Sequence, residues 1–353
     1  MELTIKEIIS FLENLAPLNY QESYDNAGLI VGNPANSCTR VLLCLDATEA
    51  IIDEAVEKQC EMVIAHHPIV FGGLKKLNGK NYVERAVIKA IKNDIALYAI
   101  HTNLDNVATG VNKRICDELG IHNYKILAPK RRILKKMSLI APLTIADQAR
   151  KILIDLGAGN IAGFAPFSFD VLGVSNYAGL PQQPEFRLET VFPEHLEKNI
   201  VAALHELYSP QKPTYEIFTL DNAFDDIGSG MIGDLLTPIP TADFLQAVKT
   251  IMKTECMRHT RLVKPTVQRV AVCGGAGVFL LPDALRAGAD VFITADVKYH
   301  QFFDADNRII LADIGHYESE QFTIELLGEQ LSKKFPTFAV LLTEANTNPI
   351  QYL

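Results

Sequence analysis

Met62-Val63-Ile64-Ala65-His66-His67-Pro68 is the stretch on which the reading of this chain turns. A short apolar run of this kind suits a strand buried on both faces. Two imidazoles leave its carboxyl end, and Pro68, with no N–H to donate, stops further pairing. Functional side chains of α/β proteins gather at such strand ends. Successive strand side chains point to opposite faces. One metal ion is therefore poorly placed to take both rings, whereas two adjacent ions could each take one. Nine histidines in 353 residues will produce an adjacent pair by chance often enough that the doublet alone is weak. Its position and the other strand ends must make the case.

On either side, strands and helices alternate. Thr4 caps a predicted helix through Leu15, with Glu7 completing a capping box. Strands are expected at Val41–Leu45, Glu61–Ala65 and Ile95–Ile100, and helices at Glu49–Lys58, Tyr82–Lys92 and Gly110–Leu119. The last third repeats the alternation. Strands are expected at Arg269–Cys273, Asp290–Thr294, Arg308–Ala312 and Thr337–Thr343. Helices are expected at Ala242–Lys253, Pro282–Ala287, Val297–Phe303 and Tyr317–Lys334. Such alternation predicts an α/β fold with a largely parallel sheet flanked by helices.

The middle differs. Leu139-Ile140-Ala141-Pro142 and Thr190-Val191-Phe192-Pro193 each lead from a short strand through proline into a helix. Anchored on the prolines, Ile145, Ala149, Ile152, Leu153 and Leu156 match Leu196, Ile200, Ala203, Leu204 and Leu207 at one amphipathic spacing. Strand candidates follow at Phe167–Val174 and Tyr215–Leu220. Two strand–helix–strand units make a ferredoxin-like α+β domain of about 90 residues, expected at 134–224 as an insert in a discontinuous core of 1–133 and 225–353.

Composition bounds the function. A hydrophobic content of 48%, a charged content of 21% and a net charge of −9 describe a soluble protein with no basic stripe, which argues against nucleic acid as a partner. Lys130-Arg131-Arg132 with Lys135-Lys136 reads as a solvated linker rather than an anion site. The N-terminal residues from Met1 show no signal-peptide pattern, and no apolar run approaches the roughly 20 residues of a membrane span. Six cysteines without CxxC spacing, several inside apolar strands, fit buried reduced thiols and a cytoplasmic location.

Three strand ends carry potential ligands: His66 and His67; His101 and Asp105; and His316 with Glu320, four residues apart at a helix start and so on one face. In a parallel sheet such ends converge on one side. Each group has a plainer reading, as a turn aspartate, a core histidine or a first-turn carboxylate. Taken together, imidazoles and carboxylates without a thiolate suit Zn²⁺, Fe²⁺, Mn²⁺, Co²⁺ or Ni²⁺. Five ligands are too many for one catalytic zinc and fit two divalent ions sharing a carboxylate. Gly274-Gly275-Ala276-Gly277 is either a tight turn or a phosphate cradle. His300 is either a surface histidine or a proton donor at the metal mouth.

Ala65-His66-His67-Pro68, His101-Thr102-Asn103-Leu104-Asp105, Thr294 to His300, Asp313-Ile314-Gly315-His316-Tyr317-Glu318-Ser319-Glu320 and Asn346-Thr347-Asn348-Pro349, with Tyr24 to Leu29, together resemble the GTP cyclohydrolase 1 type 2, or NIF-three-like, family. The resemblance covers most of the chain outside the middle segment. It implies a dimetal site of His66, His67, Asp105, His316 and a bridging Glu320, with His101 and His300 close by as proton shuttles. It also implies a toroidal homohexamer and an insert similar to the CutA and P-II regulators. The activity implied is hydrolytic opening of the guanine ring of GTP with formate release. A non-catalytic metal-binding scaffold, or a dimetal hydrolase of another nucleotide or phosphoester, is the competing expectation. In every enzymatic version the partner is a small molecule.

Overall fold

The computed structural model describes residues 2–161, 166–176, 178–179 and 181–353. Met1, where the N-terminal reading begins, and residues 162–165, 177 and 180 of the middle segment lie outside them. The chain forms two compact units, residues 1–128 with 227–353, and residues 129–226.

The elements of the first unit run in chain order. They are β1 (Leu3–Thr4), α1 (Ile5–Leu15), β2 (Gly28–Val31), β3 (Ser37–Cys38), β4 (Arg40–Asp46), α2 (Glu49–Glu57), β5 (Met62–His67), α3 (Tyr82–Lys92), β6 (Ala96–Ala99), α4 (Thr102–Asp105), α5 (Val111–Glu118) and β7 (His122–Arg131). The second unit contributes β8 (Leu134–Pro142), α6 (Ala146–Asp155), β9 (Phe169–Ser175), β10 (Gln183–Pro193), α7 (Glu197–Tyr208) and β11 (Thr214–Leu220). The chain returns through β12 (Ala223–Pro240), α8 (Thr241–Ile251), β13 (Arg258–His259), β14 (Thr266–Val272), α9 (Leu281–Arg286), β15 (Val291–Thr294), β16 (Ile310–Asp313), α10 (His316–Glu320), α11 (Thr323–Lys334) and β17 (Ala339–Leu342).

The first unit holds two principal sheets flanked by helices, in keeping with the α/β fold expected. The five-stranded sheet has the order β17-β4-β5-β6-β2, parallel except for the edge strand β2. The six-stranded sheet has the order β13-β16-β15-β14-β12-β7, with β14, β15 and β16 parallel. The C-terminal strand β17 leaves its sequence neighbours and pairs with β4, which sets the outer limit of the five-stranded sheet. Its core joins Leu42, Cys44, Val63, Ala65 and Leu97 to Ile51, Ile52 and Ala55 of α2 and Ala90 of α3. That of the six-stranded sheet joins Ala271, Phe292 and Leu311 to Leu281 and Ala284 of α9. Every residue of β6, β15 and β16 is buried, so these strands read as unbroken apolar runs.

Six strands carry no strand pattern in the sequence: the short β1, β2, β3 and β13, and the long β7 and β12. β12 is 18 residues long but is broken by Gly228, Gly230 and Gly233, and β7 is mostly polar and contains Pro129. The helix expected at Tyr317–Lys334 is two helices, α10 and α11. The one expected at Val297–Phe303 is instead a 3₁₀ turn, Tyr299–Ala305. The Thr4 capping box forms as predicted: the Glu7 N–H donates to Thr4 Oγ1 at 3.3 Å, and the Thr4 N–H to Glu7 Oε2 at 2.7 Å. Cys38, Cys44, Cys60, Cys116 and Cys273 are buried free thiols and Cys256 is exposed. Among the described residues no helix is long and apolar enough to cross a membrane.

The second unit is an antiparallel sheet of order β11-β8-β10-β9. Alternate residues Met137, Leu139 and Ala141 of β8, with Leu188 and Phe192 of β10, pack with Ala149 and Leu153 of α6 and Ile200 and Leu204 of α7. The helical positions matched between the two halves of the middle segment therefore line one core. The unit extends beyond the expected 134–224, because β7 and β12 run on through both chain crossings.

Ile64 is fully buried at the centre of the five-stranded sheet. Its replacement by alanine deletes three buried carbons and leaves a cavity, and should cost roughly 2–5 kcal/mol. A shift of the chemical-denaturation midpoint measures this loss.

Candidate metal centre

β5 carries His66 and His67 at its carboxyl end, flanked by β4 and β6 in parallel register. The register places Asp46, the last residue of β4, opposite His67. The two side chains share a face, and His67 Nδ1 meets Asp46 Oδ1 at 2.8 Å. Asp46 is in turn held by the Thr347 hydroxyl, which donates to its Oδ2 at 2.8 Å. On the other side, His66 Nδ1 lies 2.8 Å from the Ile100 carbonyl, just past β6. A carbonyl only accepts, so the proton of neutral His66 sits on Nδ1 and Nε2 presents a bare lone pair. The one-turn helix α4 then delivers Asp105.

The six-stranded sheet supplies the remaining groups. β16 ends at Asp313, and Gly315, at φ +92°, turns the chain into α10. At that positive φ any side chain would be strained, which is the reason for glycine at 315. His316 and Glu320, one helical turn apart, then face the ends of β5 and β6. His316 Nδ1 meets Asp296 Oδ2 at 2.7 Å, just after β15. The convergence is therefore between the strand ends of two sheets.

Glu320 is nearly sealed from solvent. Its Oε2 lies 2.9 Å from His67 Nε2 and 3.2 Å from His316 Nε2, and its Oε1 3.8 Å from His66 Nε2. His66 Nε2 lies 3.6 Å from Asp105 Oδ1. Three groups emerge, each with ligand atoms within 4.8 Å of one another and able to hold a metal ion: His66, Asp105 and Glu320; His67, His316 and Glu320; and His66, His67 and His101. His101 Nδ1–H donates to Asp25 Oδ1, 2.8 Å away, while Asp25 also accepts from the Thr102 N–H and hydroxyl.

The electrostatics show what this cluster attracts. Burial would lower the His67 pKa, but Asp46 and Glu320 raise it to about 10. The charge on Glu320, helped by Asp296, lifts His316 to about 11. Burial and the nearby Glu320 push Asp105 up to about 7. Glu320 itself, despite burial, is held well below the ordinary carboxylate range, chiefly by the charge and hydrogen bond of His316. Burial opposes the charge on Asp25, but hydrogen bonds from His101 and Thr102 hold its pKa at about 2. Two atoms are left over: His66 Nε2 and Asp105 Oδ1 are buried and have no hydrogen-bond partner. A lone pair facing a carboxylate oxygen in a dry site is repulsive unless a cation lies between them. The donor set therefore fits metal ions.

His66, His67, His101, Asp105, His316 and Glu320 are brought together. His300 is not. It is exposed on the 3₁₀ turn, its ring beside Tyr299 and Phe303 at 5.2 and 6.4 Å between centroids. Asp296, at φ +55°, turns the chain so that its own carboxylate, and not the imidazole of His300, meets His316. The supporting roles of Asp46 and Thr347 were missed. The available signal was that Asp46 ends a buried strand just as His67 does. The glycine loop proves to be a tight turn. The N–H groups of Gly274, Gly275 and Gly277 donate to Asn112 Oδ1, Ser319 Oγ and Thr294 Oγ1 at 3.0, 2.9 and 2.9 Å. Gly275, at φ +60°, brings backbone so close that a Cβ would lie 2.4 Å from Glu320 Oε1.

Known proteins place this geometry in a family. Proteins named GTP cyclohydrolase 1 type 2 homolog from Halalkalibacterium halodurans and Bacillus subtilis are each 31% identical to this chain. The first aligns over 98% of both chains, and the second over 99% of this chain and 98% of its own. A crystal structure of a Bacillus cereus protein related to NIF3 is similar over 99% of both chains, with a TM-score of 0.86 and 31% identity. A Staphylococcus aureus structure is similar over the same share, with a TM-score of 0.81 and 26% identity. The sequence pattern of the Duf34/NIF3 (NGG1p interacting factor 3) family matches residues 3–349, and this chain belongs to that family.

Proposed function

We propose that this protein is a two-metal hydrolase acting at an electrophilic carbon of a ring, the chemistry that the name cyclohydrolase carries for its relatives. The observation that carries the reading is the buried, unpartnered pair of His66 Nε2 and Asp105 Oδ1. His66, Asp105 and Glu320 Oε1 would hold one divalent ion; His67, His316 and Glu320 Oε2 would hold the second, making Glu320 the bridge. Zinc suits this donor set, as do iron, manganese, cobalt and nickel. Bound there, the ions would supply Lewis-acid activation of water and of the electrophile.

The chain's own groups do the rest. Ile100 O, Asp46 and Asp296 each take the Nδ1 proton of one histidine, so that each Nε2 faces the centre. His101 is the remaining imidazole at the site. With Nδ1 engaged by Asp25, its Nε2 is free to take a proton from the attacking water or give one to the departing ring nitrogen. Asp25 fixes that orientation, and Thr102 fixes Asp25.

Replacing Glu320 with glutamine should abolish binding of both ions and replacing His67 with alanine binding of the second, measured by elemental analysis, and either change should abolish metal-dependent turnover of a panel of purine nucleotides, nucleosides and phosphoesters. Wild-type protein with a full metal complement and no turnover above these variants overturns the enzyme reading. Asp46→Asn leaves the His67 ring in place but weakens its orienting bond, and metal affinity should fall 10–100-fold with an unchanged circular dichroism spectrum. Metal uptake should also release protons. With pKa values of about 10 and 11, His67 and His316 are protonated at neutral pH before an ion arrives. Apparent metal affinity should therefore rise as pH rises towards 10, and zinc titration in weak buffer with a pH indicator reads the released protons.

A further inference from the structure

The centre opens on a cavity of about 1010 Å³, ample for a bicyclic ring with a sugar. His67, His101 and His316 of the centre line it together with Asp46, Asp105 and Glu320; beyond the centre the charged lining is acidic, Glu22 and Glu49, and among the described residues no lysine or arginine lines it. A polyphosphate is bound by arginine or lysine side chains, or by a nest of free backbone N–H groups. The glycine loop on the cavity wall is the obvious nest, and its Gly274, Gly275 and Gly277 amides are already donated to Asn112, Ser319 and Thr294. The N-terminus of α2 also reaches the wall, but its first residue is Glu49, whose carboxylate opposes an anion and is bonded to Arg85 at 2.8 Å. Lys75, Lys76 and Lys80 follow Phe71 in an exposed segment and are not part of the lining.

The wall offers aromatic surface instead. Tyr24, Phe71, Tyr82 and Phe279 all line the cavity and are 68%, 53%, 60% and 63% exposed. Large apolar rings left in water around one opening mark a binding surface. They come from four separate chain segments, so no single loop accounts for them. Phe71 stands edge-on to His101, with ring centroids 5.6 Å apart. A planar ring stacked on Phe71 would lie beside the imidazole that handles protons. Stacking on aromatic side chains is worth roughly 1–3 kcal/mol per base and does not depend on charge.

Resting on the two-metal hydrolase reading, we infer that the substrate of this site is an uncharged planar heteroaromatic ring, free or as its nucleoside, and that the site disfavours the phosphorylated forms. The relatives' name points to a nucleoside triphosphate; the lining of this cavity favours the ring without its phosphate tail.

The test uses the full-length, metal-loaded protein with excess Mg²⁺, so that triphosphates do not strip the centre. Calorimetric titration compares guanine, guanosine, GMP, GTP and tripolyphosphate, together with adenine, cytosine and pteridine counterparts. Metal content is measured on every sample. At least one base or nucleoside should bind, and its triphosphate should bind at least tenfold more weakly. Phe71→Ala and Tyr82→Ala, exposed positions whose loss leaves the core intact, should each weaken ring binding roughly fivefold or more with metal content unchanged. Tighter binding of the triphosphate, binding of tripolyphosphate alone, no binding of any ring, or indifference to both aromatic substitutions overturns the inference. If wild-type protein takes up no metal, the two-metal reading fails, while the ring-against-phosphate comparison still reports on the cavity.

Discussion

A single buried carboxylate, Glu320, organises this molecule. Both of its oxygens face imidazole nitrogens: Oε2 meets His67 and His316, and Oε1 faces His66. A carboxylate taken out of water costs several kcal/mol unless positive charge meets it. The fold answers with three imidazoles, two of them pulled towards the cationic form. The arrangement does not neutralise itself completely. Asp105 stands on the far side, and its Oδ1 faces a lone pair on His66 rather than a proton. That residual mismatch is one a metal ion between the two atoms would relieve.

Rigidity comes from outside the cluster. Each of the three histidines is anchored at Nδ1, by Ile100 O, Asp46 or Asp296, and each anchor ends or follows a buried strand. The anchors have anchors: Thr347 holds Asp46, and Asn348 Nδ2 donates to Glu318 Oε1 at 3.1 Å, beside the Gly315 turn. The Asn346–Pro349 segment thus braces both sheets' contributions. On the remaining side, Gly275 presses backbone against Glu320, while Ser319 takes the Gly275 N–H and donates its hydroxyl to the His316 carbonyl at 2.8 Å. A side chain at position 275 would crowd the Glu320 carboxylate, and Gly275 at φ +60° keeps that space open.

These constraints separate the metal centre from the cavity in front of it. The centre is dense, buried and over-determined by hydrogen bonds. The cavity is wide, acidic and lined with exposed aromatic rings contributed by segments remote in sequence. The histidine–carboxylate cluster and the rings of the cavity are therefore different residues, and the rings can vary without disturbing the cluster.

The local devices are legible in the order of residues alone. The apolar run before His66-His67 could only be a buried strand, the four-residue spacing of His316 and Glu320 placed them on one helix face, and Thr4 with Glu7 specified a capped helix start. That order also paired the two helices of the middle segment, whose matched positions Ala149 and Ile200 share a core. Strand partnership was beyond it. Nothing local says that β17 pairs with β4 across nearly the whole chain, or that the ligands belong to two sheets, because pairing is settled by which buried faces fit. β12 hid behind its glycines. Asp46 looked like any strand-end aspartate until the parallel register set it against His67. His300, four residues from Asp296, seemed placed for the centre until the left-handed turn at Asp296 sent it elsewhere. The loop Gly274–Gly277 could be a cradle or a turn on paper; its role as a turn came from long-range partners, because the amides of Gly274, Gly275 and Gly277 go to Asn112, Ser319 and Thr294, residues remote in sequence.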